Sequence, residues 1–171
     1  MPISHDAIRR ATLRSHGYTK GARDFTDALN SGMQTAFLCH SHKDHALATG
    51  VAALLRETGW RVYIDWQDDE MPETPDRTTA AKIKTKIILL DYFLFLATEN
   101  SMRSRWCPWE IGYADGKKAI DKLLVIPTRD DAGRYHGNEY LQLYRRIDEA
   151  ASGGLAAWEP GNSNGIYLRN F

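Results

Sequence analysis

The sequence predicts a three-layer α/β fold, a central parallel sheet covered by helices on both faces. Three observations carry that prediction. Short apolar runs recur along the chain with helix-period segments between them. The run Asp91-Tyr92-Phe93-Leu94-Phe95-Leu96-Ala97 is apolar at nearly every position, as a strand must be when both its faces are buried. The 171 residues are enough for one domain with a sizeable core, and 43% apolar with 26% charged residues is ordinary for a globular chain.

The elements follow in order. Residues 1–34 carry five Lys/Arg against three Asp/Glu and few bulky apolar side chains, and Gly17, Gly21 and Gly32 punctuate them. Two short helices are expected there, over 5–15 and 22–29, packed on the domain or on a partner. Residues 35–40 form a strand that ends in the polar turn Ser41-His42-Lys43-Asp44. A helix over 45–57 places Leu47, Val51, Leu54 and Leu55 on one face, with Asp44 as N-cap and Gly59 as its stop. The next strand is 60–65, followed by an acidic, proline-bearing loop over 67–77 and a helix over 78–85. After the strand 91–97, the loop 98–105 leads into a helix that carries Glu110 and runs to Lys118. A buried strand over 123–127, a helix over 138–150, a glycine-rich loop and a last strand over 165–168 complete the chain.

Composition narrows the function. Lys plus Arg equals Asp plus Glu at 22 each, so the formal net charge is 0, which argues against a dedicated nucleic-acid binder or a basic membrane anchor. Cys39 and Cys107 make neither a disulfide framework nor a CxxC pair. No basic-then-apolar leader opens the chain, and the longest apolar stretch, 87–97, is broken by Asp91 and too short to span a bilayer. The expected setting is cytoplasmic. Neither GxGxxG nor GxxxxGK[ST] occurs, so a dinucleotide would not be held in the Rossmann manner.

Right-handed crossovers bring the carboxyl ends of parallel strands to one edge, where ligands bind in open sheets. Ser41 and His42 follow the first strand, Asp65 and the loop 67–77 the second, and the segment from Ser101 to Glu110 the third. Three polar segments therefore converge on one rim. His40 and His42 could meet only through the turn, and no further ligands have convincing spacing, so no metal is expected. Cys107 reads as a small buried residue rather than a nucleophile.

The stretch Phe37-Leu38-Cys39-His40-Ser41-His42-Lys43-Asp44, the strand Val62-Tyr63-Ile64-Asp65 and, most specific, Ser104-x-Trp106-Cys107-x-x-Glu110 resemble the marks of a TIR (Toll/interleukin-1 receptor) domain of bacterial type. The resemblance divides the chain into a helical extension, 1–34, and a TIR-like domain, 35–171, with a flavodoxin-like three-layer sandwich. It implies that Glu110 is the catalytic residue for breaking the nicotinamide–ribose bond of NAD. The product would be ADP-ribose or a cyclic ADP-ribose-type signal for a separate effector, as in Thoeris-like antiphage defence. NAD would be substrate, with no further cofactor, and the protein a homo-oligomer with neither nucleic-acid nor membrane partners. His40, where an aromatic or small residue is common, and Pro108 inside the helix depart from the family pattern.

Each candidate has a plainer role beside it. With Cys107 as N-cap and Pro108 at the first helical position, Glu110 falls at the capping-box position, where the helix dipole favours its ionised form. Trp106 stacks on nicotinamide or fills the core. Ser41, His42 and His40 contact substrate or shape the turn; Asp65 orients Ser41 or a ribose hydroxyl, or caps its loop. Two other function classes fit the same marks: a TIR adapter that acts by association, and a nucleoside deoxyribosyltransferase-like enzyme using glutamate as covalent nucleophile.

Overall fold

A computed structural model describes residues 1–14, 32–68, 76–137 and 139–171. The expected helix over 22–29 and most of the acidic loop lie outside them. Five strands form a parallel core in the order β3 (Arg61–Tyr63), β2 (Thr35–Cys39), β4 (Tyr92–Ala97), β5 (Leu123–Arg129) and β7 (Arg145–Glu149). Two further strands, β8 (Leu155–Trp158) and β9 (Gly165–Tyr167), continue the sheet antiparallel. The end of β5 is also paired, parallel to β1 (Ile3–Ser4) and antiparallel to β6 (Tyr135–His136).

The sheet is therefore mixed and curls into a half-barrel, which corrects the expected flavodoxin-like sandwich with a purely parallel sheet. The cause lies after residue 137. In place of a helix over 138–150 the chain makes a 3-10 turn, Glu139–Leu143, and then β7. Gly153 and Gly154, both at positive φ (87° and 81°), reverse it at once into β8. A parallel neighbour needs a crossover of a dozen or more residues, so so short a link forces antiparallel pairing.

Curling brings the two edges of the sheet together. Trp60, next to β3, donates its indole N–H to the carbonyl of Leu168, next to β9, at 3.0 Å. The Trp60 ring also packs against Tyr92 and Phe171. This inner face is filled by Leu38, Leu94, Ile126, Ile147 and the apolar sides of α1 (His5–Arg14) and α2 (His45–Arg56). Gly50 of α2 has no room for a side chain: a Cβ there would overlap the Ile8 carbonyl oxygen and the Thr12 hydroxyl of α1. The outer face packs Phe37, Cys39, Phe93, Phe95 and Val125 against α3 (Arg77–Leu89) and α5 (Cys107–Asp115), which follows the one-turn α4 (Glu99–Met102).

Candidate functional site

Cys107, Ile111 and Ala114 are spaced as one face of a helix, and all three are buried against the outer face of the sheet. Glu110 falls on the same stripe and is 5% exposed. It is the fourth helical residue, not the third. Trp106 is the N-cap, and its carbonyl accepts from the Glu110 N–H at 2.9 Å. Capping is supplied by Ser104, whose hydroxyl accepts from the N–H groups of Trp106 (3.1 Å) and Cys107 (3.3 Å). The capping-box role expected of Glu110 is therefore not the one it has.

Burial opposes the ionised form expected for Glu110. Burial, then the neighbouring Cys107 and Asp65, push its carboxyl up to about 8, against a weaker opposing hydrogen bond from Cys39. The groups that act on it are two thiols and another acid, with no cation among them. Strand alternation puts Cys39 on the face of Phe37, beneath α5, where burial raises its thiol; its S–H points to the Cys107 carbonyl at 3.9 Å. The Cys107 thiol is lowered, chiefly by its hydrogen bond with Cys39.

The carboxyl ends of β2 and β3 supply the rest of the rim. His40 is buried; its Nδ1 lies 3.0 Å from the Leu38 carbonyl, a place only an N–H can fill. Its Nε2 makes no hydrogen bond and lies 3.7 Å from Asp65 Oδ1, which accepts from the Trp66 N–H at 2.9 Å. Ser41 is buried and its hydroxyl accepts from the Lys43 N–H at 3.3 Å, capping the turn. His42 is exposed on that turn. Trp106 stands 36% exposed and meets Trp109 edge to face at 5.4 Å. Glu110, Asp65 and His40 thus form one electrostatic cluster, while Ser41, His42 and Trp106 sit on its surrounding segments.

Sequence reasoning missed two contributors. Cys39 was legible only through the strand alternation that turns it toward α5. Asp44 was expected to cap α2, yet its side chain makes no cap bond. Instead it is buried and accepts from the Thr98 hydroxyl at 2.5 Å and from Asn100 Nδ2 at 2.6 Å, tying the turn after β2 to the turn after β4. Among the described residues no group of three or more His, Cys, Asp or Glu is placed to hold a metal ion. No described helix is long and apolar enough to cross a membrane.

The family profile of the TIR domain matches residues 36–155. A Bacillus cereus protein named "Probable 3' cyclic ADP-D-ribose synthase ThsB'" is 34% identical over 114 residues, 63% of this chain and 57% of that protein. A Cytobacillus dafuensis protein, provisionally named cyclic ADP-D-ribose synthase TIR2, is 25% identical over 106 residues, 60% of this chain and 27% of that protein. The chain spans little more than half of the first relative's length and about a quarter of the second's.

Proposed function

The chain belongs to the TIR domain family, and on that premise we propose that it cleaves the nicotinamide–ribose bond of NAD, with Glu110 as catalytic residue. The reading is carried by a carboxyl buried in the core-facing stripe of α5, with no cation among the described groups that act on it, at the rim where β2 and β3 end. A purely structural acid at that place costs stability and returns none. An adapter has no use for it; a site that must stabilise positive charge in a water-poor setting does.

Cleavage breaks the C–N bond with its electron pair leaving on nicotinamide, which departs neutral, so positive charge develops on the ribose. The Glu110 carboxylate beside that ribose stabilises the oxocarbenium-like state and accepts from a ribose hydroxyl. The cationic pyridinium of arriving NAD favours ionisation, and Glu110 releases its proton to solvent before the bond breaks. Trp106, exposed one turn earlier, stacks on the leaving ring. Asp65, His40, Ser41 and His42 bind the rest of the substrate from the ends of β3 and β2. Water attack then gives ADP-ribose; attack by a nucleophile on the adenosine end of the same molecule closes a ring, and the fold of the bound dinucleotide chooses between them. The names of the two relatives favour the cyclised product. A cyclic product would act on a separate effector, and the Thoeris-like antiphage setting belongs to the same proposal.

The test is incubation of purified protein with NAD beside Glu110→Gln, read by mass-resolved chromatography. Nicotinamide plus a ribosyl product from the wild type, with a loss of at least ~100-fold in the variant, is expected. Equal release by both proteins would remove Glu110 from the chemistry.

A further inference from the structure

His40 follows the last residue of β2, and its side chain is 2% exposed. The Leu38 carbonyl, 3.0 Å from Nδ1, fixes one ring proton there. In a neutral ring Nε2 then carries a bare lone pair. That nitrogen is sealed from solvent and makes no hydrogen bond, so neither water nor a ligand can reach it. It faces Asp65 Oδ1 at 3.7 Å. Two acceptors thus confront each other with nothing to share, and a buried polar atom is left unsatisfied. A proton on Nε2 removes the conflict.

We propose that His40 is a positioning residue: protonated at Nε2, it holds the Asp65 carboxylate by a charge-assisted hydrogen bond and aims it at the substrate. Closing the gap from 3.7 Å to about 2.8 Å makes that bond. Asp65 has room for the shift, since it lies in the 3-10 turn after β3 with 33% of its side chain exposed. Its Oδ1 accepts from the Trp66 N–H at 2.9 Å and has a second lone pair for the imidazolium. With Oδ1 fixed from two sides, Oδ2 is the oxygen left to accept from a substrate hydroxyl. Because Nε2 is sealed, His40 contributes to binding through Asp65. That the substrate is NAD rests on the reading above; the pair itself does not.

The sign of the pH dependence follows from the charges. Among the described residues Asp65 is the one acid within ion-pair distance of the imidazole. Around the pair stand Glu110 and Cys107 of α5, and Asp44, His42 and Lys43 of the turn after β2. The Nε2 proton is bound at low pH and lost as pH rises, so the hold on Asp65 weakens toward alkaline pH. Ionisation of Glu110 acts in the opposite sense on a cationic substrate, and the two effects are separated in Glu110→Gln.

Nitrogen-resolved proton NMR of the full chain near pH 6 tests the pair without substrate. His40 is expected to show two ring N–H signals, with the Nε2 signal lost in Asp65→Asn, whose amide donates to the bare nitrogen instead. A single Nδ1–H signal in the wild type, or an Nε2–H signal indifferent to Asp65→Asn, overturns the proposal. Calorimetric titration of NAD into Glu110→Gln then tests positioning. Binding is expected to be at least threefold weaker near pH 9 than near pH 6. That difference is expected to vanish when His40→Gln is added, because a neutral amide donates to Asp65 at either pH. The same dependence in both proteins, no dependence in Glu110→Gln, or no binding at all overturns the positioning role. If the wild type nevertheless cleaves NAD, the catalytic reading stands without it. If NAD binds with the expected dependence and is not cleaved, His40 and Asp65 keep their roles in binding and the catalytic reading falls.

Discussion

Burial of Glu110 gives one residue two pH signatures. Its carboxyl titrates at about 8 in the folded chain against an ordinary 4.5, so between those values the folded state holds a proton that the unfolded state has lost. Stability from this group is whole below 4.5 and is lost as pH rises through about 8, at up to about 1.4 kcal/mol per pH unit. Urea unfolding of Glu110→Gln near pH 5 and near pH 8 should therefore show a flatter dependence than wild type, with the variant the more stable at the higher pH. Parallel curves would mean that the carboxyl is not held as described. In the reaction the sign is opposite: the carboxylate is the working form, so kcat/KM for NAD cleavage should climb with pH toward a plateau above about 8. A profile already flat from neutral pH upward would contradict it.

Elements are placed by contacts that single substitutions can break. Gly50→Ala forces a methyl into the Ile8 carbonyl and should cost about 3 kcal/mol by prising α1 from α2, read as a lowered thermal midpoint. Asp44→Ala removes the acceptor shared by Thr98 and Asn100 and should cost about 2–3 kcal/mol, because a buried hydroxyl and a half-buried amide lose their partner at once. A cost under about 0.5 kcal/mol, typical of plain surface changes, would show the turns after β2 and β4 to be held independently. Much of this scaffold was legible in the sequence: the apolar runs that became β2, β4 and β5, the amphipathic α2, and the glycine stop at Gly59, which does take positive φ. The failure at 138–150 has a physical source. Leu141, Tyr144 and Ile147 recur at threes and mimic a helical stripe, yet the first two pack on the outer face and the third on the inner one. A single apolar residue in Arg145-Arg146-Ile147-Asp148-Glu149 is too weak a period-two signal to announce β7. At the site, the stripe Cys107, Glu110, Ile111, Ala114 has the spacing of a buried face, but Pro108 near the helix start fits a capping role for Glu110 equally well. The thiol beneath it comes from a strand 68 residues distant in sequence, a pairing no local pattern reports.

For the molecule as a whole, the seam between Trp60 and Leu168 holds the half-barrel shut. Trp60→Phe removes the indole N–H and trims the ring, and should cost about 1–2 kcal/mol, leaving the Leu168 carbonyl with the Phe171 N–H alone at 3.3 Å. Trp60→Ala also empties the space between Tyr92 and Phe171 and should cost about 3–5 kcal/mol, both measured by urea denaturation. Equal losses would mean that the hydrogen bond, not the ring, carries the seam. The seam also has a place in time. It joins positions 108 residues apart, so loop-closure entropy opposes it until the parallel strands between have assembled. Closure is then a late step, absent from the rate-limiting ensemble, and weakening it should leave the refolding rate nearly untouched while hastening unfolding. Chevron kinetics of Trp60→Phe would display this as a shift of the unfolding limb alone. The working lifetime of each molecule would accordingly be timed by one indole on the far side of the sheet from Glu110, a clock adjustable without altering the chemistry.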